Sequence, residues 1–251
     1  MGQTFCMGMS MQRATMFHSA SDEQRFAQVT AKLSPYLDKS LLVTGSYAVE
    51  YAVRTCGGPA TELKLNDIDV VAPMGLQELG QGLGAAFLVN HFHPKRELGN
   101  VLLQLIDPST ATRIDIFTPR SASIRSRSTV TSEKIAIVAA EDLTARLLAI
   151  VSIVLQGRTI DPKYAVSFQR LIEIGDLEKA AELWPEYRKP SDPPFFDTAV
   201  TAVQAVLKQQ PQLLKPTEYS QDLSHRCEWC IPDASFPLAD KRAVFELIGH
   251  V

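Results

Sequence analysis

Two aspartates set in the middle of an apolar stretch limit most strongly how this chain folds. Asp67 and Asp69 stand in Asn66-Asp67-Ile68-Asp69-Val70-Val71, and a third carboxylate, Asp115, stands in Arg113-Ile114-Asp115-Ile116-Phe117. Side chains alternate faces along a β-strand, so Asp67 and Asp69 project together while Ile68 and Val70 face the other way. Two same-side carboxylates in an apolar strand are costly unless something cationic neutralises them. Mg2+ is the natural candidate, because it takes oxygen ligands and keeps open positions for phosphates. A third carboxylate from a neighbouring strand would complete a site for two metal ions.

About twenty residues before the first pair, Leu41-Leu42-Val43-Thr44 reads as a short buried strand running into a Gly45-Ser46 turn. On its own, Gly45-Ser46 reads as an ordinary helix N-cap. With the downstream Asp-x-Asp, the arrangement resembles the DNA polymerase beta-like nucleotidyltransferase superfamily. Its signature is a hydrophobic strand, a Gly-Ser turn opening a helix, Asp-x-Asp on the next strand and a third Asp on a later one. The resemblance covers roughly residues 38–120 and extends less clearly to about 185.

The resemblance implies an α/β fold with a nucleotidyltransferase-like mixed sheet flanked by helices, followed by a mainly helical C-terminal region. It implies that Asp67, Asp69 and Asp115 are both the catalytic residues and the ligands of Mg2+ or Mn2+. A nucleoside triphosphate would lay its phosphates between these carboxylates and Gly45 and Ser46, where glycine lets the backbone approach closely and the helix N-terminus offers N–H groups. In-line positioning and charge neutralisation would then move a nucleoside monophosphate to a hydroxyl acceptor and release pyrophosphate.

A second resemblance lies downstream. Ala140-Glu141-Asp142-Leu143-Thr144-Ala145-Arg146-Leu147-Leu148-Ala149 is similar to the segment that follows the core in abortive-infection type nucleotidyltransferases. Arg146 stands where those proteins have Lys, and Asp161-Pro162-Lys163-Tyr164 resembles their next helix start. Ser167 and Gln169 stand where a later Asp belongs. This implies Arg146 and Lys163 as nucleotide-binding residues, with the reservation that guanidinium and ammonium are not interchangeable. It also raises a toxin with an antitoxin protein as partner. Asp142 reads equally as a first-turn charge that favours the helix dipole.

Composition narrows the acceptor. The net charge is −3, so no global basic field advertises nucleic acid, and broad nucleic-acid binding is not expected. A small molecule, a protein side chain or a transfer RNA end each fits as hydroxyl acceptor. Arg113, Arg120, Arg125 and Arg127 form a short basic stretch that reads first as a solvated loop and second as an acceptor-phosphate contact. A non-catalytic nucleotide-binding domain is the competing class of reading.

No apolar run is long enough to span a bilayer, so no membrane partner is expected. No apolar signal segment opens the chain, and four cysteines are too few for a disulfide framework at this size, which together point to the cytoplasm. His225-Arg226-Cys227-Glu228-Trp229-Cys230 is half a zinc site at most and reads as a plain thiol pair. His91 and His93 read as surface or acceptor-pocket residues.

The expected organisation is a disordered Met-rich start over 1–18, a nucleotidyltransferase-like α/β domain over 19–130 and a helical domain over 131–251. Within it, Ser21-Asp22-Glu23-Gln24 reads as a capping box opening a helix to Leu37. Helices are also expected over Ser46–Arg54, Leu76–Phe87, Ala140–Gln156, Pro162–Ile174, Leu177–Leu183 and Phe196–Gln209. Strands are expected within Thr61–Val71 and over Phe87–Phe92, Val101–Ile106, Thr112–Phe117 and Ile135–Val138.

Overall fold

The computed structural model describes residues 15–37, 40–73, 76, 80–93 and 102–217. The Met-rich start up to residue 14 and the Cys227/Cys230 segment lie outside the described residues. The chain forms two compact units. One contains Phe17–Gly45 and Lys64–Val138 and holds the β-sheet; the other contains Ser46–Leu63 and Ala139–Glu218 and is helical. The α/β class, with a mixed sheet, flanking helices and a mainly helical C-terminal region, is the one the sequence implies.

Among the described residues the sheet unit is built on seven strands: β1 (Leu42–Val43), β2 (Asp67–Val71), β3 (Leu88–His93), β4 (Leu102–Asp107), β5 (Thr112–Phe117), β6 (Thr129–Val130) and β7 (Ala136–Ile137). Their spatial order is β3-β4-β5-β2-β1-β7-β6. β2 lies between β5, to which it is parallel, and β1, to which it is antiparallel. β1 and β7 are parallel; the remaining neighbours are antiparallel, so the sheet is mixed.

The register fixes one apolar face. Ile68 is opposite Ile114 and Val70 opposite Ile116 across β2–β5, and Leu105 and Leu103 continue those rows onto β4. All six are buried. Burying each such side chain contributes about 1.5–3 kcal/mol, so this face holds the carboxylate-bearing strands in register. A one-residue slip would move the aliphatic rows to the other face.

Helix α1 (Ala20–Leu33) buries Phe26, Val29 and Leu33. It is tied to the β4–β5 turn, where the Lys32 ammonium meets the fully buried Asp107 carboxylate and Arg25 Nε donates to Thr112 Oγ1 at 3.2 Å. The N-cap is Ser19, whose hydroxyl accepts from the Asp22 amide at 3.0 Å, and not Ser21 of the expected capping box. Both serines can cap. Capping at Ser19 puts Asp22 at the third helical position, where its carboxylate also accepts from Arg25 and from the Leu65 amide. The helix ends at Leu33, short of the expected Leu37. Leu37 is nevertheless buried, on a following turn closed by Tyr36 and Leu37 amides on the Leu33 carbonyl.

Other boundaries also differ. α3 is described over Gly80–Ala86, and residues 77–79 of the expected Leu76–Phe87 helix lie outside the described residues. The basic stretch expected as a loop forms a short helix, α4 (Ile124–Arg127), because Ile124 is buried and Arg127 donates to Ser121 and Ser123. Strand β6 follows it, unanticipated because both of its residues are exposed and carry no burial pattern.

The helical unit contains α2 (entered from Gly45, Gly45–Thr55), α5 (Ala140–Val151, continued by a 3-10 turn over Ser152–Gln156), α6 (Pro162–Ile174), α7 (Leu177–Tyr187) and α8 (Phe196–Gln209). α6 begins as the sequence dictates, with Asp161 accepting from the Lys163 amide at 2.9 Å and Pro162 at the first helical position. α7 continues past the expected Leu183 through Pro185 to Tyr187, because Trp184 and Tyr187 are buried core residues. Within this unit Glu50 is wholly buried yet fully bonded. It accepts from Arg54 Nε at 2.6 Å, Arg170 Nη2 at 2.7 Å and both the amide and hydroxyl of Thr61 at 2.8 and 2.7 Å. This cluster fastens the 56–63 loop to α2 and α6. No described helix is long and apolar enough to cross a membrane.

Candidate active site

Strand geometry delivers the three carboxylates. Asp67 and Asp69 alternate with buried Ile68 on β2, and parallel pairing with β5 sets Asp69 opposite Asp115. One carboxylate oxygen from each of Asp67, Asp69 and Asp115 lies within 4.8 Å of the others. Among the described residues this is the one group of three or more acidic, His or Cys side chains close enough to share a metal ion.

The Gly45 turn lies against this cluster. The Thr44 amide donates to the Asp69 carbonyl at 2.9 Å, extending the β1–β2 pairing by one residue. The chain then turns at Gly45 with φ +66°, in the left-handed region. A Cβ at this position would stand 2.0 Å from Asp69 Oδ2 and 2.8 Å from Asp69 Cγ. Glycine is required here twice, once for the backbone angle and once for the space its missing side chain leaves to the carboxylate.

The electrostatics of the cluster rest on Arg113. Two residues before Asp115 on β5, it projects from the same face. Its Nη2 donates to Asp67 Oδ2 at 2.6 Å, and its Nε lies 3.4 Å from Asp115 Oδ1. Asp115 is 8% exposed, and its carboxyl is pushed up to about 6: burial is the largest cause, opposed by Arg113, reinforced by the Asp67 charge and opposed again by the hydrogen bond from Gln104. Gln104, buried on β4 directly opposite Asp115, donates from Nε2 to Asp115 Oδ1 at 3.0 Å. Its own Oε1 accepts from the Asn90 side chain. The β3–β4 register shifts between Val89 and His91, and this irregularity sets the Asn90 amide onto Gln104.

The donor set fits a divalent metal. It is all carboxylate oxygen, it converges from two adjacent strands, and the glycine cradle keeps the turn close to it without filling it. Asp67, Asp69 and Asp115 are the residues that could hold Mg2+ or Mn2+.

The remaining expected site residues are Ser46, Arg146 and Lys163. Ser46 is exposed at the start of α2, Arg146 is half-buried on α5 and Lys163 is exposed at the start of α6, its ammonium 5.0 Å from the Tyr164 ring centroid. All three belong to the helical unit. Asp142 is buried there and accepts from the Tyr187 hydroxyl at 2.7 Å, an interaction beyond the helix-dipole role its position suggests. His91 is buried opposite Gln104 and so is not the surface residue the strand pattern suggests, while His93 is half-buried. The edge position of β3 leaves a fold-dependent choice of which face is covered, and short-range alternation does not reveal it.

Sequence reasoning missed Arg113, Gln104 and Asn90 as site residues. Arg113 was within reach, since the same two-residue period that unites Asp67 and Asp69 unites it with Asp115. Gln104 carried a weaker signal, a lone amide in Leu102-Leu103-Gln104-Leu105-Ile106. Asn90 depends on the register shift and had none.

No protein-family model matches the chain, and no curated protein matches it. Among solved structures it is similar to the Megavirus polyadenylate synthase (TM-score 0.39, 12% identity, covering 83% of this chain and 39% of that one). It is also similar to a "putative nucleotidyltransferase from H. pylori" (TM-score 0.35, 13% identity, 78% and 99% covered). A third is JHP933 from Helicobacter pylori (TM-score 0.35, 15% identity, 78% and 97% covered). The chain thus spans about two-fifths of the length of the viral polyadenylate synthase.

Proposed function

We propose that the protein is a metal-dependent nucleotidyltransferase that moves a nucleoside monophosphate from a nucleoside triphosphate to a hydroxyl acceptor and releases pyrophosphate. The observation that carries this reading is the convergence of Asp67, Asp69 and Asp115 across β2 and β5, directly beside the left-handed Gly45 turn. A carboxylate cluster alone would hold an ion. A cluster flanked by a strand-to-helix turn that only glycine can make also leaves room for phosphate oxygens beside backbone N–H groups.

Asp67, Asp69 and Asp115 would hold Mg2+ or Mn2+, which supplies charge neutralisation for the triphosphate and acidifies the attacking hydroxyl. The protein's own groups do the rest. The Gly45 turn and Ser46 take the phosphates. Asp115 takes the acceptor hydroxyl's proton on the carboxylate oxygen that Gln104 does not hold, and the Gln104–Asn90 pair keeps that carboxylate oriented. If Arg146 and Lys163 bind nucleotide, substitution of either raises KM for the triphosphate more than it lowers kcat. The acceptor is a small molecule, a protein side chain or a transfer RNA end.

The test is transfer itself. Purified protein is incubated with Mg2+ or Mn2+, each of four α-labelled nucleoside triphosphates, and cell extract as a pool of acceptors. Label entering a product, and reduced about a thousandfold or more in Asp67→Asn, supports the proposal. Nucleotide binding without transfer would replace it with a non-catalytic nucleotide-binding domain. Growth arrest on expression, relieved by Asp67→Asn, would assign the same chemistry to a toxin, with an antitoxin protein as its partner.

A further inference from the structure

The carboxylate cluster has a cation of its own. Arg113 lies on the site-bearing strand, only 14% exposed, with its guanidinium spanning Asp67 Oδ2 at 2.6 Å and Asp115 Oδ1 at 3.4 Å. The carboxylates are those that would hold a divalent ion, so an ion and Arg113 draw on the same carboxylates. A guanidinium cannot lose its charge at accessible pH. It can leave Asp67 only by moving, and it then needs an anion to replace the carboxylate.

On the nucleotidyltransferase reading, we infer that Arg113 and the divalent metal compete for Asp67, and that the triphosphate resolves the competition by giving the displaced guanidinium a phosphate partner. The planar fork that meets a carboxylate meets a phosphate equally well. The site would therefore discriminate against free metal ions and accept the metal–triphosphate complex, because only the complex brings both the cation for Asp67 and the anion for Arg113. Arg113 is then a residue that selects the form of the substrate. The Gln104 hydrogen bond to Asp115 does not involve Arg113, so it can stay in place while the guanidinium leaves.

The prediction crosses in sign, and a merely structural role for Arg113 would not. In Arg113→Gln, free Mn2+, followed by electron paramagnetic resonance of the unbound ion, should bind about tenfold more tightly than in wild type. Magnesium tripolyphosphate, titrated calorimetrically as the preformed complex, should bind about tenfold more weakly. Arg113→Met, similar in length, should repeat both changes, and Arg113→Lys should keep the Mn2+ affinity near that of wild type. Circular dichroism establishes that each variant is folded.

Unchanged or weaker Mn2+ binding in both Arg113→Gln and Arg113→Met overturns the competition, as does the absence of Mn2+ binding from all forms. Tighter Mn2+ binding with undiminished tripolyphosphate affinity overturns the phosphate partner. Neither measurement uses nucleotidyl transfer. The inference can fail while label transfer succeeds, and it can stand while label transfer fails.

Discussion

Asp115→Asn should stabilise the protein at neutral pH in the absence of metal. Asp115 has its carboxyl raised from 3.8 to about 6, chiefly by burial, against the pull of Arg113. That difference corresponds to about 3 kcal/mol of native-state penalty for carrying the charge. The sign follows from proton counting. Between about pH 4 and pH 6 the folded protein holds a proton that the unfolded chain has released, so folding stability falls as pH rises through this window and levels off above it.

Asparagine mimics the protonated side chain and can still accept from Gln104 Nε2. Urea unfolding of the two proteins, with EDTA, should therefore give nearly equal free energies at pH 4 and a gap growing to about 2–3 kcal/mol at pH 7, with the variant the more stable. Saturating Mg2+ should close or reverse the gap, because the ion stabilises only the form that binds it. If the gap is the same at pH 4 and pH 7, the stabilisation has another origin and the buried charge is not its cause. If the wild type is more stable than the variant at pH 7 without metal, Arg113 outweighs burial and the charge reasoning is wrong.

Three further outcomes are expected. Gly45→Ala should cost about 1–3 kcal/mol, from the left-handed backbone and from a Cβ 2.0 Å from Asp69 Oδ2, and should abolish Mn2+ binding even where the fold survives thermal-melt analysis. Asp69→Asn should melt a few degrees higher than wild type without metal and lose the rise in Tm that Mg2+ gives the wild type, as read by differential scanning fluorimetry. Glu50→Gln should destabilise by about 3–5 kcal/mol in urea, because it strips the carboxylate from between Arg54 and Arg170 within an otherwise closed network.

What the sequence made legible was whatever a short-range period encodes. Asp67 and Asp69 share a face because strands repeat every two residues, and Gly45 announces itself as the break between an apolar strand and a helix. The helices over Pro162–Ile174 and Phe196–Gln209 and the strand over Thr112–Phe117 follow from caps, turns and periodicity at the expected residues. What it concealed depends on pairing between distant segments. Gln104 becomes a site residue only because β4 registers it opposite Asp115, and Asn90 only because β3 slips by a residue. Ser19 and Ser21 are equivalent in local terms, and what distinguishes them is the bond from Leu65, forty-three positions on from Asp22, to the carboxylate that capping at Ser19 places. Arg113 was hidden by interpretation. It was grouped with the arginines that follow it in the chain when its strand partner was the aspartate two residues away.

The parallel pairing of β2 with β5 sets a timetable for synthesis. Asp67 and Arg113 are separated by 46 positions, and the cluster closes only when β5 takes its place between β4 and β2. Loop closure over such a span is entropically slow compared with forming local turns. A growing chain that has emerged only as far as β4 carries Asp67 and Asp69 but lacks their third carboxylate and their arginine. On the proposed reading, binding of an ion would report the docking of β5 against β2, and Mn2+ binding timed against backbone signals during refolding should not precede that pairing.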